Sequence, residues 1–188
     1  MATRVFSTIY SKNQWGCGSG YGSLPTSTVK YRAFLSQWMK EHAIKTVLDI
    51  GCGDWQSTHL LNWDGITYTG IDCVPSLIEE NRQKYGSPNI HFHMRDVLRE
   101  PITGTYDVII LKDVIQHWPT ADIMRVLPSL LIKAKYVLVT NCRFQQRPEQ
   151  DIALGGFRPL HKNMKPLSSF SPQLLYSYGT KDVLLLRP

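Results

Sequence analysis

The chain has no apolar run of bilayer-spanning length, and its first residues, Met1-Ala2-Thr3-Arg4-Val5-Phe6, lack the hydrophobic stretch of a secretory signal. A membrane partner is therefore not expected, and a cytoplasmic location is. The four cysteines, Cys17, Cys52, Cys73 and Cys142, form no Cys-x-x-Cys pair. That excludes the common zinc knuckle and redox pair and fits reduced thiols. No internal repeat or low-complexity tract occurs. Charged residues are few, at 19%, and the net charge of +6 comes from scattered Lys and Arg rather than from a block of one sign. Such an excess could draw an anionic partner such as RNA, a nucleotide-sugar or a charged glycan, and does not choose among them.

What is present is the composition of a compact protein. With 188 residues, 43% of them hydrophobic, the chain is long enough for one substantial core and short for two. A single domain over 1–188 is expected, with residues 1–27, rich in Gly, Ser, Thr and Tyr, forming a loop or lid and 28–188 the core. From Thr28 the positions Tyr31, Phe34, Leu35, Trp38 and His42 recur at helical spacing, so a helix should run to just before Lys45. Short apolar strands then alternate with helical stretches: strands at Thr46 to Ile50, Thr67 to Ile71 and Ile90 to His93, helices from about Ser57 and over Ser76 to Tyr85. Tyr106 to Leu111 and Tyr136 to Thr140 read as buried central strands, flanking a helix that opens near Thr120 and should bend at Pro128. A long polar stretch with Arg143, Arg147, Arg158 and His161 follows, then a hairpin of Leu174 to Tyr178 and Val183 to Leu186 about a Gly179-Thr180-Lys181 turn. This is the rhythm of a parallel α/β sheet.

Chemistry concentrates at the strand ends. The first strand runs through Asp49 into Gly51-x-Gly53, where glycines let the backbone turn sharply and bring its N–H groups to a ligand. Asp72 ends the next strand roughly twenty residues on, where a carboxylate can accept both ribose hydroxyls of an adenosine cofactor. Asp96 follows the third strand and can accept from an adenine amino group. A dinucleotide would want a third glycine for close helix packing and no acid beside its pyrophosphate; Asp54 and Trp55 stand there instead.

These residues resemble the class I S-adenosylmethionine-dependent methyltransferases, over about residues 45 to 141 and, by strand count, the terminal hairpin. The family pattern is an acid, x, Gly, x, Gly, x, Gly, with Trp55 here at the third glycine. The resemblance implies a Rossmann-like fold: a seven-stranded, mostly parallel sheet with a C-terminal antiparallel hairpin and helices on both faces. It implies S-adenosylmethionine as cofactor and S-adenosylhomocysteine as product. Asp49, Gly51, Cys52 and Gly53 would line the methionine part, Asp72 with Cys73 the ribose, and Asp96 with Val97 the adenine, with Lys112 and Trp15 completing the set. Cys52 and Cys73 contribute backbone rather than thiol chemistry.

For the acceptor, Leu111-Lys112-Asp113-Val114-Ile115-Gln116-His117-Trp118 follows the fourth strand. His117 is the expected general base, with Asp113 orienting a group beside it. No Asn/Asp-Pro-Pro-Tyr/Phe and no Pro-Cys or Thr-Cys pair occurs, which argues against methylation of base amino groups and of cytosine C5. Asp113 and Asn141 leave room for a divalent ion, but Thr140 replaces the partner acid and no metal is expected. His91 and His93 share a strand face and, lacking a third ligand, should pack together. A second resemblance, to small methyltransferases found with glycosyltransferases in glycan-building clusters, including chloroviral ones, rests on Tyr10, Asn13, Trp15, the glycine-serine run 18 to 23, Tyr31-Arg32-x-Phe34-Leu35, Gln116-His117-Trp118 and Gly155-Gly156-x-Arg158-Pro159-Leu160. It departs at His161 and at Ser168-Ser169-Phe170. It implies a sugar hydroxyl as acceptor, on a glycan or small molecule, with Trp118 stacking and Arg158 and His161 donating hydrogen bonds. The alternatives are methylation of RNA, which is less expected, or of another small molecule, and a domain that binds the cofactor without turnover. Nothing in the sequence bears on oligomeric state.

Overall fold

The computed structural model describes residues 1–143 and 150–186, so Arg147 lies outside the described residues. Seven strands form one sheet in the order β3-β2-β1-β4-β5-β7-β6. They are β1 (Thr46–Ile50), β2 (Thr67–Asp72), β3 (Ile90–Met94), β4 (Tyr106–Lys112), β5 (Ala134–Cys142), β6 (Gln173–Tyr178) and β7 (Lys181–Leu186). The helices are α1 (Ala2–Ser11), α2 (Val29–Glu41), α3 (Pro75–Tyr85) and α4 (Thr120–Leu131). Strand pairing is parallel except where β7 runs against β5 and β6, so the expected mostly parallel sheet with a C-terminal hairpin is what the sequence builds. The chain divides into two compact units, Met1–Asp96 and Val97–Pro188.

In the N-terminal unit, β1 and β2 pair from Thr46 with Thr67 to Ile50 with Ile71, and β2 and β3 from Tyr68 with Ile90 to Asp72 with Met94. That register sets the ends of β1 and β2 side by side. Beneath the turn after β1 lies a cluster of rings: Trp55 stands 5.1 Å from Tyr68 and from Phe92, 5.0 Å from Tyr85 and 6.3 Å from Trp63. Packed aromatics in tilted and edge-on arrangements supply both large apolar burial and favourable ring geometry.

Three expectations fail in this unit. Residues 1–27 are not all loop, since α1 buries Ala2, Phe6 and Ile9 on one face at helical spacing. The stretch from Ser57 forms only a single 3-10 turn at Thr58–Leu60. It ends at Asn62-Trp63-Asp64-Gly65, where the Asn62 side chain accepts the Asp64 N–H at 2.8 Å and turns the chain instead. His91 and His93 also do not pack; both are exposed on the edge strand β3.

In the C-terminal unit, Val108 to Leu111 of β4 and Val137 to Val139 of β5 are buried, as parallel strands covered on both faces must be. Helix α4 turns Ile123, Val126, Leu127 and Leu130 inward. Pro128 does not end it; the proline lies on the exposed side with Met124, where water can take the carbonyl that a proline leaves without a donor. Between β5 and the edge strand β6, β7 sets Lys181 opposite Cys142 and Asp182 opposite Asn141. No helix among the described residues is long and apolar enough to cross a membrane.

Candidate functional site

In the N-terminal unit Asp49, Gly51, Cys52 and Gly53 lie at the turn after β1, Asp72 and Cys73 at the end of β2, and Asp96 beyond β3. Gly51 and Gly53 have φ of +71° and +58°, the left-handed region that glycine enters without penalty. Trp55, at the place of the third glycine, has φ of +54° and is buried among the rings described above. The turn therefore keeps the backbone shape of the glycine pattern while its side chain serves the core. Asp49 is buried and its Oδ2 accepts the Tyr68 hydroxyl at 2.7 Å. Asp72, 8% exposed, accepts the Gly53 N–H on Oδ2 at 3.1 Å and the Val74 N–H on Oδ1 at 3.0 Å. Burial raises its pKa to about 6, against the pull of the Val74, Gly53 and Cys73 backbone N–H groups. Asp96 is buried at the end of this unit. The Cys52 and Cys73 thiols are both pushed up by burial and by Asp72, Cys73 to about 12, so neither is a nucleophile at neutral pH.

A second layer, which the sequence did not reveal, closes on this turn. Asn81 of α3, itself buried, donates to the Gly53 carbonyl at 2.8 Å. From the N-terminal segment, the Ser19 N–H donates to Asp54 Oδ2 at 3.0 Å, and the Asp54 N–H donates to Ser19 Oγ at 3.0 Å. Ser19 Oγ also shares a hydrogen with the Tyr10 hydroxyl at 2.8 Å. The approach leaves no room for side chains: a Cβ on Gly53 would lie 2.3 Å from Ser19 Oγ, and one on Gly18 would lie 2.1 Å from Asp54 Oδ2. Trp15 packs edge-on against Tyr10 at 5.4 Å and tilted against Phe6 at 6.0 Å. The glycine-serine run thus binds the Gly51 to Asp54 turn itself, with Trp15 anchoring it.

In the C-terminal unit Asp113, at φ of +60°, holds two ammonium groups, Lys112 Nζ on Oδ2 at 2.6 Å and Lys181 Nζ on Oδ1. Burial would raise this carboxyl, but Lys112 and Lys181 outweigh it and hold it below its ordinary value. With two cations already on Asp113, a divalent ion there would meet like charge. Among the described residues, no group of three or more His, Cys, Asp or Glu is placed to hold a metal. Lys181 is a site residue that sequence reasoning missed.

His117, 9% exposed, places Nδ1 2.7 Å from the Gly156 carbonyl. A carbonyl only accepts, so Nδ1 carries the proton and the neutral ring has its lone pair on Nε2. Burial lowers the pKa of this ring and Lys181 lowers it further, while Gly156 and Asp113 draw it back in part. The neighbouring loop is tied in three places: the Gly155 N–H donates to His117 O at 2.9 Å, the Arg158 N–H to Gln116 O at 3.1 Å, and the Cys142 N–H to Gln116 Oε1 at 3.0 Å. Trp118 and Arg158 are both buried, and Arg158 bonds the Trp118 carbonyl at 3.0 Å and the Asp151 carboxylate. Asp151 also accepts the Thr120 N–H at 2.8 Å, which leads the set of bonds holding its pKa down at about 2. These two expected acceptor residues therefore shape the loop that carries Gly156. His161 lines a cavity of about 550 Å³ with Arg143, Lys162, Leu174, Gly179, Thr180 and Asp182.

Comparison with known proteins matches these features. Over 66 residues the chain is 33% identical to a malonyl-[acyl-carrier protein] O-methyltransferase of Acetivibrio thermocellus, covering 34% of this chain and 23% of that protein. It is 36% identical over 69 residues to a putative methyltransferase of Invertebrate iridescent virus 6, covering 35% of this chain and 25% of that one. The matches thus span only about a quarter of these relatives' lengths. In fold, the chain resembles magnesium protoporphyrin IX methyltransferase from Synechocystis PCC 6803, solved with bound S-adenosylmethionine, with a TM-score of 0.69 at 17% identity over 100% of this chain and 98% of that one. Human N-acetylserotonin methyltransferase, also solved with S-adenosylmethionine, aligns with a TM-score of 0.62 at 17% identity over 100% of this chain and 59% of that one. A family model described as a methyltransferase domain matches residues 41–168, well over half of the chain, and the chain belongs to that family.

Proposed function

We propose that the chain is an S-adenosylmethionine-dependent O-methyltransferase acting on a sugar hydroxyl of a glycan or glycoconjugate. The residues of the N-terminal unit fit the cofactor. The Gly51 to Gly53 turn has a left-handed backbone, and the buried Asp72 carboxylate is held beside it by the Gly53 and Val74 N–H groups. Asp72 with Cys73 would hold the ribose, Asp96 with Val97 the adenine, and the turn with Asp49 and Cys52 the methionine part. Trp15 completes the set. Bound there, S-adenosylmethionine supplies a sulfonium methyl group.

The chain's own task is to orient the acceptor and accept its proton. The observation that carries the oxygen assignment is the His117 tautomer: Nδ1 donates to Gly156, leaving a basic Nε2 on a ring that burial keeps neutral. His117 takes the hydroxyl proton, and Asp113 fixes the local charge through Lys112 and Lys181. The glycine-serine run and the Gly155 to Leu160 loop support the sugar reading through their resemblance to methyltransferases of glycan-building clusters.

Labelled methyl transfer screened over rhamnosides and other saccharides, with and without EDTA, and over RNA tests this reading. Transfer to a saccharide that survives EDTA and is lost in His117→Ala is expected. Transfer to RNA alone, or tight binding of S-adenosylhomocysteine with no transfer to any acceptor, would overturn it.

A further inference from the structure

The ring expected to stack on the acceptor, Trp118, is only 3% exposed and has no face to offer a ligand. An aromatic face does stand beside His117, and it belongs to Phe157, in the middle of the Gly155 to Leu160 loop. The two ring centroids lie 5.8 Å apart. The rings are inclined at 48° rather than stacked flat, and Phe157 is 55% exposed. Contact with the imidazole therefore takes only part of the phenyl ring and leaves the rest open to solvent.

A single exposed apolar side chain is common on protein surfaces and carries nothing by itself. Phe157 differs in how firmly its backbone is held to the segment that carries His117. One residue before it, the Gly156 carbonyl accepts His117 Nδ1–H at 2.7 Å; one residue after it, the Arg158 N–H donates to Gln116 O at 3.1 Å. The Gly156 N–H donates to Ala153 O at 3.0 Å, and the Leu160 N–H donates to Cys142 O, at the end of β5, at 2.9 Å. The buried Arg158 side chain adds its bonds to the Trp118 carbonyl and Asp151. There is little slack in between, since a Cβ on Gly156 would lie 3.0 Å from Ala153 O. A loop tied down this closely holds a large apolar ring in water, and the burial it forgoes is regained when something covers the ring.

We propose that the open face of Phe157 is the platform on which the acceptor ring lies, and that it selects saccharides whose ring presents a run of C–H groups on one side. The proposal rests on the sugar-methylating reading and narrows its substrate class. Phenylalanine has no polar atom, so unlike tyrosine or tryptophan it recognises an apolar face and not a pattern of hydroxyls. Rings packed on an aromatic face lie about 4.5–7 Å apart between centroids. His117 stands at a comparable 5.8 Å from Phe157, so a hydroxyl on the rim of a sugar seated there is brought to the imidazole.

The test uses the full chain labelled at its six phenylalanine rings, with the Phe157 resonance identified as the one missing from Phe157→Leu. It is titrated by NMR with the methyl glycosides of glucose, galactose and rhamnose, with sorbitol and with phenol, and by calorimetry with S-adenosylhomocysteine. At least one glycoside should shift the Phe157 resonance, and sorbitol, which has the hydroxyls without the ring, should not. Phe157→Ala should weaken that glycoside about five- to tenfold, the loss of one ring-packing contact, while Phe157→Tyr restores it and S-adenosylhomocysteine affinity stays within about twofold. In labelled methyl transfer the same loss should fall on KM, with kcat within about threefold of wild type. No shift with any glycoside, an equal shift with sorbitol, or a shift with phenol alone would overturn the proposal. Transfer to a saccharide at unchanged KM in Phe157→Ala would also overturn it and leave the sugar-methylating reading standing. A glycoside that shifts Phe157 in a protein that methylates no saccharide would instead sink that reading and keep the platform.

Discussion

Ser19 and Asp54 exchange hydrogen bonds, each backbone N–H donating to the other's side chain at 3.0 Å, across 35 residues of sequence. The exchange fastens the glycine-serine run to the turn proposed to hold the cofactor, so loosening it should show in cofactor affinity. Ser19→Ala removes the acceptor of the Asp54 N–H and the Tyr10 partner, a loss of about 1 kcal/mol or roughly fivefold in S-adenosylhomocysteine affinity. Gly18→Ala should do more, since its Cβ would meet Asp54 Oδ2 and its φ of +72° disfavours any side chain. Calorimetry reads the affinity, and trypsin cleavage after Lys12 reads the release of the segment. Unchanged affinity in both variants would show that the segment takes no part in holding the cofactor.

Trp55 sets two effects against each other at one position. Replacing it with glycine relieves a left-handed non-glycine residue, worth about 1–2 kcal/mol. It also empties the centre of a ring cluster, and deleting a buried aromatic costs roughly 3–5 kcal/mol. The cavity should win, making Trp55→Gly less stable by about 2–3 kcal/mol in urea unfolding. A variant as stable as wild type would mean that the third-glycine position is under strain that the core does not offset.

The pH dependence of methyl transfer should identify His117. Its pKa lies below the ordinary 6.5 because burial disfavours the imidazolium, so the base remains available under mildly acidic conditions. As pH falls, the acid limb of kcat/KM should bend below 6.5, and His117→Asn should remove that limb while lowering the rate by about 10²- to 10⁴-fold. The same shift makes native stability fall as pH drops through the ordinary value towards the folded one, because the unfolded ring takes up the proton first. An acid limb unchanged in His117→Asn would assign the base elsewhere.

What could be read from the sequence was whatever repeats with a fixed period or stands at a strand end. Asp49, Asp72 and Asp96 are legible because each stands within two residues of the end of a short strand, β1, β2 and β3, and Val108 to Leu111 marks β4 by hydrophobicity alone. What could not be read were pairings between distant loops. Lys181 and Asp113 are 68 residues apart, and nothing in the Gly179-Thr180-Lys181 turn signals a partner. His117 owes its tautomer to a carbonyl, which every residue possesses and no motif records. Helix α1 is hidden in the sequence by the glycine-rich segment after it, which masks a three-residue buried face, and the stretch from Ser57 has helical composition but is cut short by the turn at Asn62 and Asp64.

Asp113 with its two lysines gives the sharpest stability test. All three side chains are largely buried, at 12% to 15% exposure, so removing the carboxylate leaves two ammonium groups close together with poor solvation. Breaking a buried pair from one side costs roughly 3–5 kcal/mol, and the residual exposure here puts Asp113→Ala near the lower end, at about 3 kcal/mol. Adding Lys181→Met to Asp113→Ala should recover part of that loss, because one of the two stranded charges is gone. Acid provides an independent check. The folded carboxyl lies below its ordinary 3.8, so its contribution is complete above that value and is lost as pH falls through the folded pKa. Wild type should therefore lose stability below about pH 4 more steeply than Asp113→Asn, whose side chain cannot titrate. Equal slopes, together with a strictly additive double variant, would mean that Asp113 does not bind its lysines as charges, and its role in ordering the residues around His117 would have to come from backbone geometry at φ of +60° alone.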